Sequence, residues 1–146
     1  MFHYTLNNIP DININEQIIK NIFQTIEKNI DISQNGILNI VFLEDDEIQE
    51  LNKTHRGIDK STDVLSFHYF DDFSQLSKEE TAGEIILSEK KVISQSIEYG
   101  LGTEGEFYKL LIHSILHILG FDHEEDHDYK IMQEKENLIW KEVFEK

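Results

Sequence analysis

Apolar and polar residues follow two distinct periods along this chain. FHYTLN (2–7) sets Phe2, Tyr4 and Leu6 on one side, the period-two pattern of a half-buried strand. NEQIIKNIFQTIEKN (15–29) changes to the helical period, with Ile18, Ile19, Ile22, Phe23 and Ile26 on one face. GILNIVFLE (36–44) is an apolar, β-branched run and predicts a second strand. DDEIQELNKTH (45–55) predicts a helix capped by its leading aspartates, with Ile48 and Leu51 turned inward. TDVLSFHYF (62–70) reads as extended, a polar stretch follows to about Thr81, and GEIILS (83–88) is a short strand.

Three helices complete the chain. Ser88 suits the N-cap of a helix through about Tyr99, and Gly100 suits its C-terminal turn. Thr103 and Glu106 have the spacing of a capping box and predict a helix that runs to Leu119, where Gly120 ends it. The last helix spans roughly 127–144 with Met132, Ile139 and Val143 inward. The order β-α-β-α-β-β-α-α-α predicts an α/β (α+β) fold. About four strands form a mixed sheet packed with about five helices, in one domain over 1–146. Strand order is not legible in such a pattern.

Composition narrows the chemistry. With no cysteine, disulfides are excluded and a metal site must draw on His, Asp or Glu. MFHYTLNN has no basic segment leading an apolar core, and no apolar run approaches the roughly 20 residues of a membrane span. The expectation is a soluble, cytoplasmic protein with no membrane partner. The net charge of −16 is unfavourable for gripping nucleic acid. Against that background LNKTHRGIDK (51–60) is a small basic patch, and its Arg56 is the only arginine in the chain.

HSILHILGFDH (113–123) holds three histidines within its apolar run. His113 and His117 lie four apart on a helix. Four residues turn roughly 400° and rise about 6 Å, so both rings leave one face. Gly120 turns the chain back, and His123 follows three residues later. Buried imidazoles without partners each cost about 1–3 kcal/mol, and one shared metal ion removes that cost. Three imidazoles and no thiol suit Zn2+, while nickel, cobalt or copper also fits. A fourth protein ligand from Asp122, Glu124, Asp126 or His127 would make the site structural. An open fourth position would make it hydrolytic.

The same stretch resembles the signature of the YbeY family of endoribonucleases and ribosomal RNA maturation factors. The pattern H-G-x-L-H-L-x-G-Y-D-H stands here as H-S-I-L-H-I-L-G-F-D-H, with Ser114, Ile118 and Phe121 as departures. LNKTHRGIDKSTDVLSF (51–67) is similar to the family's L-N-x-x-x-R-x-x-x-x-x-T-D-V-L-S-F. GEIILS is similar to G-D-I-x-I-S, with Glu84 in place of aspartate. His68 stands where the family carries proline. The resemblance implies a zinc-type site on His113, His117 and His123, and Arg56 as the basic residue of the same cleft. It implies hydrolysis of single-stranded RNA in maturation of the small ribosomal subunit and in ribosome quality control.

Taken from the residues alone, Arg56 suits a phosphodiester because a planar guanidinium binds two oxygens at once. H-E-x-x-H peptidases carry a glutamate after the first histidine, and Ser114 cannot replace it, which counts against peptide or amide hydrolysis. His127, His55, Asp63 and Glu84 are candidates to move a proton, and Asp63 also reads as a turn or cap residue. The 68–82 segment, with Tyr69, Phe70 and Phe73, reads foremost as a loop pinned to the core by its rings. The other reading is a flap whose rings stack on bases. The charge of −16 leaves room for an assembly factor with a structural metal, or for a ribosome-associated protein partner that supplies the grip on RNA.

Overall fold

The computed structural model describes residues 1–122 and 124–145. Its elements follow the expected order: β1 (His3–Asn7), α1 (Glu16–Asn29), β2 (Ile37–Leu43), α2 (Asp45–Arg56), β3 (Val64–His68), β4 (Thr81–Ser88), α3 (Glu89–Tyr99), α4 (Gly102–Ile118) and α5 (Asp126–Phe144). The four strands form one mixed sheet in the order β1-β2-β4-β3. β1, β2 and β4 are parallel, and β3 joins antiparallel as an edge strand.

Side-chain alternation decides which face each helix covers. Leu38, Ile40 and Phe42 of β2 and Ile85 and Leu87 of β4 enter the main core with Ile19, Ile22, Phe23 and Ile26 of α1. Leu111 and Ile115 of α4 and Met132 and Ile139 of α5 pack into the same core. The intervening residues point the other way: Val41, Leu43, Leu65, Phe67 and Ile86 form a smaller cluster with Ile48 and Leu51. Of the helices, only α2 contributes to that second cluster. β4 lies between both layers, and therefore reads as a nearly continuous buried run. Gly83 is required there, because a Cβ on it would stand 2.2 Å from the Phe67 carbonyl oxygen of β3.

Two helix starts differ from expectation. α2 is capped by Glu44 rather than by its aspartates, and the Glu44 N–H donates to Oε1 of Glu47 at 3.4 Å. Asp45 instead accepts from the Ser88 hydroxyl and pairs with Lys91 at 3.7 Å, joining the starts of α2 and α3. α4 begins at Gly102 with Leu101 as N-cap and no side-chain cap, so Thr103 and Glu106 form no capping box. Ser88 does cap α3, accepting from the Lys91 N–H at 3.1 Å. The 68–82 loop is divided. Phe73 is buried edge-on against Phe2, whereas Tyr69 and Phe70 are 52% and 42% exposed.

Candidate active site

α4 is wedged into the main core and is apolar on nearly every side. Between Leu110 and Leu119 every residue is buried except His113 and His117, which are half-buried. One helical turn apart, these two imidazoles are the only part of that stretch to reach the surface. The helix then closes in a Schellman arrangement. Phe121 N–H donates to the Leu116 carbonyl at 3.1 Å and Gly120 N–H to the His117 carbonyl at 3.0 Å. Gly120 takes φ +104°, a left-handed conformation that a side chain would strain. His123, the expected third nitrogen, lies outside the described residues.

α5 reaches back to this site. Nδ1 of His113 lies 2.7 Å from Oε1 of Glu136. An ionised carboxylate only accepts, so the ring nitrogen donates, and the lone pair of the imidazole then sits on Nε2. Imidazoles that hold metals are oriented in this way by a carboxylate behind them. A cavity of about 230 Å³ opens beside the pair, walled by Asp63, Val64, Gln95, Glu106, His113 and Glu136. Asp63 does act as a turn residue. Its Oδ1 accepts from the Val64 N–H at 2.8 Å, and Oδ2 accepts from Gln95 at 3.2 Å.

Glu106 is the unexpected member. It is fully buried, and among the described residues neither carboxyl oxygen has a hydrogen bond; Nζ of Lys109 stands 4.0 Å away. Burial pushes its carboxyl above the usual carboxylate range. Lys109 opposes the rise and Asp63 adds to it. An acid with a raised folded pKa holds its proton after the unfolded chain has released it. Its contribution to stability is therefore full below the ordinary value of 4.5 and is lost as pH rises toward the folded value. Glu106→Gln has no such loss. The stability of this variant relative to wild type should rise between pH 4.5 and pH 7, read by urea unfolding at both. A difference that stays constant with pH would refute it.

Arg56 is the last residue of α2, exposed, on the opposite side of the sheet from α4. Among the described residues no hydrogen bond or ion pair joins it to His113 or His117. The other sequence candidates are dispersed. His55 packs against Phe67, Glu84 accepts from Tyr69, and Glu124, Asp126 and His127 are exposed. Among the described residues, Glu44, Asp46 and Glu47 bring metal-ligating atoms together, but these are exposed acids at the start of α2. Neither Glu136 nor Glu106 is placed at the site by the sequence, in which Glu106 reads only as a capping residue. Glu136 carries a legible signal, since it interrupts the stripe Met132, Ile139, Val143 at a position where an apolar residue belongs.

The chain matches the family model described as Endoribonuclease YbeY over residues 5–143. It is 37% identical over 134 residues to Endoribonuclease YbeY of Thermoanaerobacter sp. (strain X514), covering 85% of this chain and 84% of the relative. It is 38% identical over 133 residues to the protein of that name from Clostridioides difficile (strain 630), covering 88% and 87%. The solution structure of TM1509 from Thermotoga maritima superposes with a TM-score of 0.66 at 31% identity, over 99% of this chain and 90% of that one. With a fold of this likeness and a match that spans nearly all of its elements, the chain belongs to the YbeY endoribonuclease family.

Proposed function

We propose that this chain is a metal-dependent endoribonuclease that hydrolyses single-stranded RNA in maturation and quality control of the small ribosomal subunit. The observation that carries the reading is the pair His113 and His117, the only residues of a buried helical stretch to reach its surface, with Glu136 behind the first. The relatives' printed name, Endoribonuclease YbeY, supports the substrate class. The donor set fits a divalent transition metal, with Zn2+ first: imidazoles, no thiol, and a carboxylate that fixes which nitrogen is presented. His113, His117 and His123 would hold it. When bound, the ion acidifies water to a nucleophile usable at neutral pH and polarises a phosphoryl oxygen.

Within this reading, the α4 imidazoles are held at fixed depth by the packed helix, so no reorganisation is needed when the phosphodiester arrives. Arg56, at the end of α2 and across the sheet from the histidines, would bind a phosphate of the RNA strand away from the one that is cut, through its paired N–H groups. Among the described residues no helix is long and apolar enough to cross a membrane, which accords with work in the cytoplasm. The charge of −16 favours a ribosome-associated protein that guides the enzyme to its RNA. The same charge supports a second reading, an assembly factor whose metal only holds the fold.

Cleavage of labelled single-stranded RNA by zinc-loaded protein separates the two. Expected is cleavage that stops with a chelator, returns with zinc, and weakens in Arg56→Lys, which loses the paired contact to phosphate. Cleavage indifferent to the chelator overturns the metal role, and full activity of Arg56→Lys overturns that residue's role. Metal removal that unfolds the chain, with no turnover by the loaded form, favours the assembly factor.

A further inference from the structure

α2 covers only part of its face of the sheet. Its inward residues Ile48 and Leu51 share a cluster with Val41, Leu43, Leu65 and Ile86, towards one end of the strands, with Phe67 at its margin. Towards the other end, the registers align Thr5, Asn39, Glu84 and Phe67 in one row across all four strands. Alternation points this row to the α2 side. Thr5 is exposed and the other three are half-buried. The Thr5 hydroxyl donates to Asn39 at 2.6 Å, so the row is already ordered.

Aromatic rings edge this open ground. Tyr69 extends the β3–β4 ladder, its N–H donating to the Ala82 carbonyl at 2.9 Å. That places it on the same face as Phe67, two residues before it. Its hydroxyl donates to Glu84, which fixes the ring over the sheet while leaving the residue 52% exposed. Burial and Glu84 push that hydroxyl up to about 12, so it stays neutral. His55, on the last turn of α2, packs its ring 5.2 Å from Phe67. The end of α2, with exposed Lys53 and Arg56, therefore borders the rings.

We propose that this open half of the α2 face is a track for single-stranded RNA, with a base stacked on Tyr69 and backbone phosphates against Arg56 and Lys53. The occupant follows from the chemistry. Strongly acidic overall, the chain sets Lys53 and Arg56 on the last turn of α2, whose His55 packs on Phe67, and stacking adds affinity where net charge cannot. Location supports it too. β3 is the edge strand, α4 packs along it from the other face, and Val64 and His113 line one cavity. A strand leaving the rings over the β3 edge arrives at the α4 histidines. This inference rests on the RNA reading above and adds the surface that holds the substrate.

The test is binding, kept apart from cleavage. Fluorescence anisotropy would follow a labelled 2′-O-methyl oligouridylate with zinc-loaded protein, a denaturing gel confirming that the oligonucleotide stays intact during the reading. Tyr69→Ala and Tyr69→Leu should each weaken binding by roughly 5- to 150-fold, the equivalent of about 1–3 kcal/mol for one stacked base. Tyr69→Phe should stay near wild type, because the ring remains. Lys53→Ala should lower the salt-dependence slope by about 0.7. Tyr129→Ala, a 53% exposed ring on α5, should change nothing. Unchanged affinity in Tyr69→Ala and Tyr69→Leu, equal loss in Tyr129→Ala, or no binding by wild type overturns the track. RNA cleavage by the wild type alongside any of these results overturns the track alone and leaves the nuclease reading standing.

Discussion

His117→Ala should abolish RNA cleavage and strip the site of tightly bound metal while the chain stays folded. The side chain is half-buried on a helix whose packing comes from its neighbours Ile115, Leu116 and Ile118. Truncating it removes little core, and a cost near the usual ~1 kcal/mol of point substitutions is expected. The loss at the site is of another order. A supporting partner behind a metal ligand is worth about 10–100-fold in affinity, and a direct ligand more than that. Metal affinity should therefore fall by well over ~10²-fold, read by competition with a chromophoric chelator. Cleavage should become undetectable at stoichiometric zinc. Retention of both metal and cleavage would show that the reaction does not run through the α4 histidines.

Glu136→Ala should give the second largest effect, with a different signature. His113 keeps its place on α4 but loses the carboxylate 2.7 Å from Nδ1 that orients its ring and selects which nitrogen carries the proton. The expected outcome is a fall of roughly 10–100-fold in metal affinity, with cleavage recovering toward wild type at saturating zinc. Glu136→Gln should lie between, because an amide oxygen still accepts from Nδ1 but carries no charge. Unaltered zinc affinity in Glu136→Ala would leave the contact a mere tie between α4 and α5.

The pattern of apolar positions made the element order legible because burial imposes it residue by residue. β2 alternates, α1 shows a stripe, and the observed bounds differ from the expected ones by a residue or two. Strand order was not legible, because pairing β2 with β4 rather than β3 depends on where the connections run. The start of α4 was misread for a physical reason. Thr103 and Glu106 have capping spacing, but Glu106 is fully buried and the helix begins two residues earlier, with Leu101 as N-cap. At the site, the α4 histidines were legible from their spacing alone. The oxygen behind His113 was not, since a contact between residues 113 and 136 exists only once α5 lies against α4. Arg56 stood out by composition, and the fold gives it a place beside the sheet's open face rather than beside the histidines.

The link between Glu136 and His113 also sets a schedule. α4 is synthesised before α5, and chains fold broadly from the N-terminus as they emerge. While α5 is still unmade, the helix with its two histidines has no carboxylate to steer the first ring. On the proposed metal reading, a nascent chain would hold metal poorly, and full affinity would arrive only when the last helix docks. For a protein proposed to cut RNA, made on a machine built of RNA, that order of assembly delays the chemistry until the chain is nearly complete.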